Sequence, residues 1–160
     1  MAHRGANALV AGFIVAAAGL AVTGAGSAAA APEGAAVMPM TSVVRACDYS
    51  VSEHTWRTGY ARAVAYVHPP AADSVAIEVQ LLTALPDTDY YVKVFTMPRG
   101  SADCGVAPIG VRTDAAGAMT VTVTTPIDAS TTGVWVSVER PDRYSQLPAE
   151  VYTSDFITNV

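Results

Sequence analysis

The stretch Ser74-Val75-Ala76-Ile77-Glu78-Val79-Gln80-Leu81-Leu82 places a large apolar residue at every second position. This period of two is that of a β-strand with one face in a hydrophobic core. The sequence therefore predicts strands whose apolar faces meet in a common core. The residues expected on those faces are Val75, Ile77, Val79 and Leu81, then Val92 and Val94, and then Val134, Val136 and Val138.

Outward from this stretch, short runs of β-branched and aromatic residues are separated by clusters of Pro, Gly, Asp and Ser, a pattern typical of all-β proteins. No long stretch after the N-terminal segment has the 3.6-residue period of an amphipathic helix. We predict seven to eight strands, at Ser42–Ala46, Arg57–Val67, Ser74–Leu82, Tyr90–Met97, Ile109–Thr113, Ala118–Thr124, Gly133–Glu139 and Val151–Ile157.

A turn before one of these strands carries a recognisable motif. Its residues Pro86, Thr88, Tyr90, Val92 and Val94 match the pattern P-x-T-x-Y-x-V-x-V. The match resembles the corner before the penultimate strand of fibronectin type III and related immunoglobulin-like domains. The resemblance implies that Tyr90 buries its ring and returns its hydroxyl to upstream backbone, as a tyrosine corner does.

The resemblance covers about ten residues and has two departures. Ala84 occupies the position of the family's leucine, and at least three predicted strands follow the corner where the family has one. The expected fold is an immunoglobulin-like β-sandwich of seven to eight strands whose sheet order stays open. The Asp114-Ala115-Ala116-Gly117 turn predicts a hairpin closed by a positive φ at Gly117, and it resembles turns of small exported bacterial β-sandwiches.

The N-terminus has the three parts of an export signal. Met1–Arg4 is basic, Ala6–Val22 is almost wholly apolar, and Ala28-Ala29-Ala30 is a small-x-small cleavage motif. We predict a signal peptide over residues 1–30, with an uncleaved membrane anchor as the alternative. Residues 31–40 are then expected to form a flexible leader, and residues 41–160 a single β-sandwich domain.

Composition narrows the class of partner. The chain has 9 basic and 14 acidic residues, and removal of residues 1–30 takes away Arg4 alone, which leaves a net charge of −6. Such a balance disfavours nucleic acid and anionic membranes, because both are bound through basic patches. Lys93 is the single lysine. Arginine in place of lysine indicates a G+C-rich genome, so the chain resembles small exported proteins of actinobacterial type.

Two cysteines, Cys47 and Cys104, are expected to form a disulfide, since the chain is addressed to an oxidising compartment. A reactive or metal-binding thiol is the alternative. Neither cysteine belongs to a C-x-x-C pair, and no basic residue is placed to lower a thiol pKa. The expected location is therefore secreted or elsewhere in the cell envelope.

Motifs for catalysis and cofactors are missing from the sequence. No G-x-S-x-G elbow occurs, so a hydrolase would need partners adjacent only in space, with His54 or His68 as the base. A copper or small-ligand protein is the other alternative, because the mature chain also holds the methionines Met38, Met40, Met97 and Met119. No spacing links these residues, so no metal site and no cofactor is assigned.

A surface connection offers the best candidate for function. Glu139–Pro148 joins the last two predicted strands and is rich in Arg, Tyr and Pro, residues common in contact surfaces. An ordinary polar connection is the alternative. The sequence thus favours a non-catalytic, secreted or envelope-bound binding or structural protein whose partner is a protein, a glycan or a lipid. The residues expected to contact it are Arg140, Arg143 and Tyr144.

Overall fold

Antiparallel strands make up the regular structure of this computed structural model, which describes residues 31–52 and 59–160. The described residues contain eight strands and no helix, so the all-β class is confirmed. The strands are β1 (Ala36–Thr41), β2 (Arg62–Val67), β3 (Ser74–Leu82), β4 (Asp89–Met97), β5 (Ile109–Arg112), β6 (Met119–Pro126), β7 (Gly133–Arg140) and β8 (Glu150–Ser154). The predicted signal peptide, His54 and the start of the second predicted strand lie outside these residues.

All eight strands join one hydrogen-bonded sheet, in the order β5-β4-β7-β8-β1-β2-β3-β6. The pairing of β8 with β1 is short, with only Met40 opposite Ser154 and Thr41 opposite Thr153. The sheet therefore has two four-stranded halves that meet at this short ladder. Its end strands, β5 and β6, are consecutive in the chain, so the two edges of the sheet approach each other at the turn between them. The immunoglobulin-like arrangement of the strands stays a prediction.

The turn between β5 and β6 has the predicted chemistry. Gly117 has a φ of 73°, in the left-handed region that glycine adopts without a steric penalty. The Asp114 carboxylate accepts hydrogen bonds from the amides of Ala116 and Ala118, both at 2.8 Å. Gly117 also lies against Ala84, whose amide donates to the glycine carbonyl at 2.9 Å. The turn therefore ties the two edges of the sheet to the corner before β4. The predicted hairpin is wrong, because β5 pairs with β4 and β6 pairs with β3.

Both halves of the sheet turn their predicted faces toward one core. The alternating residues of β3 are buried, and so are the inner residues of β4 and β7. In β2 the smaller residues face this core, with Ala65 and Val67 buried among the valines. The core residues predicted from the alternation are confirmed: Val75, Ile77, Val79, Leu81, Val92, Val94, Val134, Val136 and Val138.

A second, smaller cluster covers the outer face of β4 and β7. The rings of Phe95 and Trp135 stack with their centroids 4.1 Å apart, and Tyr49 contacts Trp135 edge-on at 5.6 Å. The Cys47–Cys104 disulfide lies beside them, with a Cα–Cα distance of 5.3 Å. The predicted disulfide is therefore present, and β7 is buried on both faces because each face has its own cluster.

The region before the first predicted strand is a strand itself. Residues 36–40, expected to belong to a flexible leader, form most of β1, and Met38 and Met40 are buried in the core. The leader prediction is therefore wrong for these residues. The predicted strand Ser42–Ala46 is also wrong, because within it only Arg45 makes an isolated bridge, to Val51.

Among the described residues there is no helix long and apolar enough to cross a membrane.

Candidate binding groove

Four neighbouring strands bring their ends together at one end of the sheet. Asp89 at the start of β4 is in register with Arg112 at the end of β5, and Arg140 at the end of β7 is in register with Glu150 at the start of β8. Antiparallel pairing places the end of one strand beside the start of the next. The 141–148 connection, closed by a 2.8 Å bond from the Ala149 amide to the Arg140 carbonyl, therefore lies near the corner before β4.

Thr113 holds the corner before β4 in place. Its hydroxyl donates to the Leu85 carbonyl at 2.6 Å and accepts from the Thr88 amide at 2.9 Å. Its own amide donates to the Thr88 carbonyl at 3.0 Å. Within the corner, the Thr88 hydroxyl donates to the Pro86 carbonyl at 2.8 Å. The corner is thus tied to β5 through buried or half-buried polar groups, and its position is well defined.

Tyr90 follows this corner with its ring fully buried. Its hydroxyl donates to Oε2 of Glu150 at 3.0 Å. Burial and the Glu150 charge raise the pKa of the phenol, and a hydrogen bond with the backbone of Leu85, five residues upstream, opposes this shift. The buried ring and the nearby upstream backbone are features that a tyrosine corner has, and the assignment to that motif stays a prediction.

Glu150 is the hub of a polar network at this end of the sheet. Its side chain is 13% exposed, and its Oε1 accepts a 2.9 Å bond from Nε of Arg140. Its Oε2 accepts from the hydroxyls of Tyr90 at 3.0 Å and Tyr152 at 3.1 Å. The Tyr152 hydroxyl in turn accepts from the Ala61 amide at 3.0 Å. One carboxylate therefore links β4, β7 and β8 to the chain segment that leads into β2.

The network makes both phenols hard to ionise. Burial, against the opposing effect of the Ala61 amide and together with the negative charge of Glu150, raises the pKa of Tyr152 to about 12. Burial and then the Glu150 charge raise the pKa of Tyr90 well above its ordinary value. A phenol that stays protonated keeps its hydrogen bond to the carboxylate, so the hub holds its geometry at neutral pH.

A groove of about 640 Å³ lies above this hub. Its lining consists of the corner residues 87–89, Arg112, residues 140–144 and Ala149. We refer to this surface as the groove. All three predicted contact residues line it: Arg140, Arg143 and Tyr144. The structure thus brings the corner and the Arg- and Tyr-rich connection, which the sequence separates by some fifty residues, to one concave surface.

The charges in the groove are largely paired. Arg112 forms an ion pair with Asp89 at 3.0 Å, and Arg140 forms one with Glu150 at 2.9 Å. Arg143 is exposed and forms no hydrogen bond or ion pair with another residue in the part of the chain that the structure describes. Tyr144 is 96% exposed. Arg140 therefore shapes the floor of the groove, whereas Arg143 and Tyr144 are open to a partner.

A smaller pocket of about 180 Å³ shares a wall with the groove. The wall is formed by Pro141 and Asp142, and the far side by Tyr91, Glu139 and residues 145–148. We call it the side pocket. Tyr91 is 40% exposed and Leu147 is 53% exposed, so the side pocket offers apolar surface beside the charged groove.

The sequence did not single out Glu150, Arg112 or Tyr91. A signal for Glu150 was present, because Glu150 and Tyr152 alternate in a strand and Tyr152 faces the core. A carboxylate on the buried face of a strand requires partners, and it is therefore a candidate for a polar network. Arg112 and Tyr91 carry no comparable local signal, since only the sheet order brings them to the groove and the side pocket.

The residues proposed for a metal or catalytic site are placed elsewhere. Met38, Met40 and Met119 belong to the hydrophobic core, and Met97 packs on the second cluster. Among the described residues, no group of three or more His, Cys, Asp or Glu is close enough to hold a metal ion. Both cysteines are in the disulfide, and His68 follows β2, where its backbone amide donates to the Ala76 carbonyl at 2.9 Å.

The lining of the groove combines an exposed tyrosine, an exposed arginine and fixed ion pairs. No protein-family model matches the chain, and no curated protein or solved structure matches it.

Proposed function

We propose that this chain is an exported, non-catalytic binding domain of the cell envelope or extracellular space, and that the groove is its contact site. One observation carries the proposal. The corner and the 141–148 connection converge on a concave surface where Arg143 and Tyr144 are exposed above a buried polar hub. Arginine and tyrosine are enriched at contact sites, where they contribute much of the binding energy.

The base of the groove supports this function because it is held rigidly. Arg140 and the corner are tied to buried groups, whereas the exposed residues stand on the connection between two paired strands. Binding loops on a rigid scaffold lose little conformational entropy when a partner binds. A polar loop that was not fixed to buried groups would lose more conformational entropy on binding.

Export is supported by the signal-like N-terminus and by the disulfide. A Cys47–Cys104 bridge is stable in an oxidising compartment and is rare in the cytoplasm. Cys47 is buried in the second cluster and Cys104 is exposed, so the bridge ties a surface segment to the packed part of the fold. The first location to test is therefore the culture fluid and the envelope of the producing organism.

Capture by envelopes tests the proposal. The protein is expressed from its full-length gene, recovered after export and mixed with purified envelopes of its producer. We expect the double variant Arg143→Ala/Tyr144→Ala to bind about tenfold more weakly than the unaltered protein. Arg140 is left unchanged because its ion pair with Glu150 supports the fold.

A matched control uses an exposed arginine and tyrosine that do not line the groove. Tyr60 is 93% exposed and Arg62 is exposed at the start of β2, so Tyr60→Ala/Arg62→Ala removes the same chemistry elsewhere. Envelope binding should survive in this control. Equal binding by the groove variant and the unaltered protein would show that the groove is not the contact site.

A further inference from the structure

The charges around the groove cancel locally. Its lining holds three arginines and three aspartates, and two of the arginines are already in ion pairs. At the side pocket, Glu139 is paired with Lys93 at 2.7 Å and accepts from the Ser137 hydroxyl at 2.9 Å. A strongly charged partner is recognised by an excess of the opposite charge. The paired charges therefore fit a neutral partner better than a polyanion or a polycation.

Two tyrosine rings give this surface flat apolar area. Tyr144 is 96% exposed and Tyr91 is 40% exposed. Tyr91 lies across the β4–β5 ladder from Gly110, which has no side chain to cover the ring, and a Cβ there would come within 3.7 Å of it. An exposed aromatic ring with a polar tip suits a ligand that has both an apolar face and hydroxyl groups.

Planar polar side chains line the groove and the side pocket together with these rings. Arg143, Asp87 and Gln146 are exposed along the groove and the side pocket. Guanidinium, carboxylate and amide groups can each make paired hydrogen bonds to neighbouring hydroxyls. The groove has a volume in the range of roughly 300–1,000 Å³ that is usual for small-ligand sites. A narrow, hydroxyl-rich ligand would use these donors and acceptors together with the ring faces.

We infer that the ligand of the groove is a neutral oligosaccharide segment, such as part of an envelope or extracellular polysaccharide. Sugar rings stack on Tyr144 and Tyr91, and their hydroxyls bond to Arg143, Asp87 and Gln146. The shared wall at Pro141 and Asp142 divides the surface into two places for successive sugar units. This inference rests on the proposed function, because it names the ligand class of the same site.

Selective destruction of envelope components tests the inference. One sample of envelopes is digested with protease, and another is treated with periodate, which cleaves vicinal diols of sugars. We expect binding to survive protease, to be lost after periodate, and to be about tenfold weaker for Tyr144→Ala but unchanged for the control Tyr60→Ala. Binding that is lost with protease and survives periodate would overturn the oligosaccharide while leaving the groove as a contact site.

Purified polysaccharides distinguish a neutral ligand from an acidic one. Migration of the protein in native gels that contain a neutral glucan, mannan or arabinogalactan should be retarded by at least one of them, and Tyr144→Ala should restore free migration. Retardation only by an acidic polysaccharide such as polygalacturonate, with sensitivity to salt, would overturn the neutral ligand. Equal envelope binding by the unaltered protein and Arg143→Ala/Tyr144→Ala would overturn the proposed function itself.

Discussion

At the scale of single residues, Glu150 is the side chain on which most of the groove's geometry depends. Its carboxylate accepts hydrogen bonds from Arg140, Tyr90 and Tyr152 in a half-buried site. Removal of one partner from a buried ion pair leaves the others without compensation, which costs more than the pair itself contributes. The same residue therefore affects both the stability of the fold and the position of Arg140.

We predict that Glu150→Ala lowers the free energy of unfolding by about 3 kcal/mol, because two buried phenols and a half-buried guanidinium lose their acceptor. Urea denaturation checks this value. Asp89→Ala is the control, since the Asp89–Arg112 pair is exposed and contributes less than about 1 kcal/mol. Equal effects of the two substitutions would show that Glu150 is not a hub.

Gly117 is the residue on which the β5–β6 turn depends. Gly117→Ala should destabilise the protein by at least about 2 kcal/mol, because the added Cβ meets the Ala84 carbonyl and φ is 73°. Gly110→Ala is the control, since a Cβ there has only an ordinary contact with the Tyr91 ring at 3.7 Å. Thermal unfolding of both variants makes the comparison, and a similar loss from both would contradict this explanation.

Part of the site could be predicted at this scale. Arg143 and Tyr144 stood out because an Arg- and Tyr-rich connection has the composition of a contact surface, and the structure leaves both exposed in the groove. Arg140 belongs to the same connection, but its binding to Glu150 depends on the β7–β8 register. Pairing across strands cannot be read from a local motif, so the hub was not predicted.

At the scale of strands, alternation predicted β3 with its observed bounds and β4 and β7 to within one residue. Each of these strands has a continuous apolar face, which gives the pattern its strength.

Strand β1 was not predicted, because the Ala, Pro and Gly residues around Met38 and Met40 are typical of a flexible leader. Pro39 lies inside β1, and its carbonyl accepts from the Asp155 amide at 2.9 Å, on the side of the short ladder with β8. A proline is tolerated there because that ladder begins only at Met40.

The tyrosines that join β4 and β8 to Glu150 predict a loss of stability at alkaline pH. Their pKa values are raised in the folded state, to about 12 for Tyr152, above the value of about 10 of an unfolded chain. The unfolded state then releases protons that the folded state keeps. The stabilisation is complete below pH about 10 and is lost as the pH rises toward the folded-state values.

Urea denaturation between pH 8 and 11.5 measures this dependence. The double variant Tyr90→Phe/Tyr152→Phe should have a flatter profile above pH 10 than the unaltered protein, whatever its stability at neutral pH. Identical slopes in the two proteins would show that these phenols do not control the alkaline transition.

At the scale of the whole molecule, the sheet order decides where the site forms. The neighbours β5, β4, β7 and β8 place the corner, Arg112 and the 141–148 connection at one end of the sheet. The all-β class was predictable because it depends on local alternation and turns. The order of the strands was not, since it depends on long-range pairings such as β8 with β1 and β3 with β6.

The disulfide stabilises the whole molecule because it restricts the conformations of the unfolded chain. Its cysteines are 57 residues apart, which corresponds to a stabilisation of about 4 kcal/mol in the chain-entropy model. Cys47→Ala/Cys104→Ala should lower the free energy of unfolding by about this amount. Envelope binding should persist wherever the variant remains folded, because the bridge lies beside the second cluster and not among the residues that line the groove. A loss below about 1 kcal/mol in urea denaturation would contradict the structural role.

The measurement that most directly tests the groove as the binding site is a two-dimensional ¹H–¹⁵N NMR titration of the exported protein with solubilised envelope material. We expect the amide shifts that change to concentrate at residues 87–89, at Arg112 and along residues 140–147, with those of β2, β3 and β6 unaffected. Changes concentrated on another face, or binding without any change at these residues, would contradict the assignment of the groove.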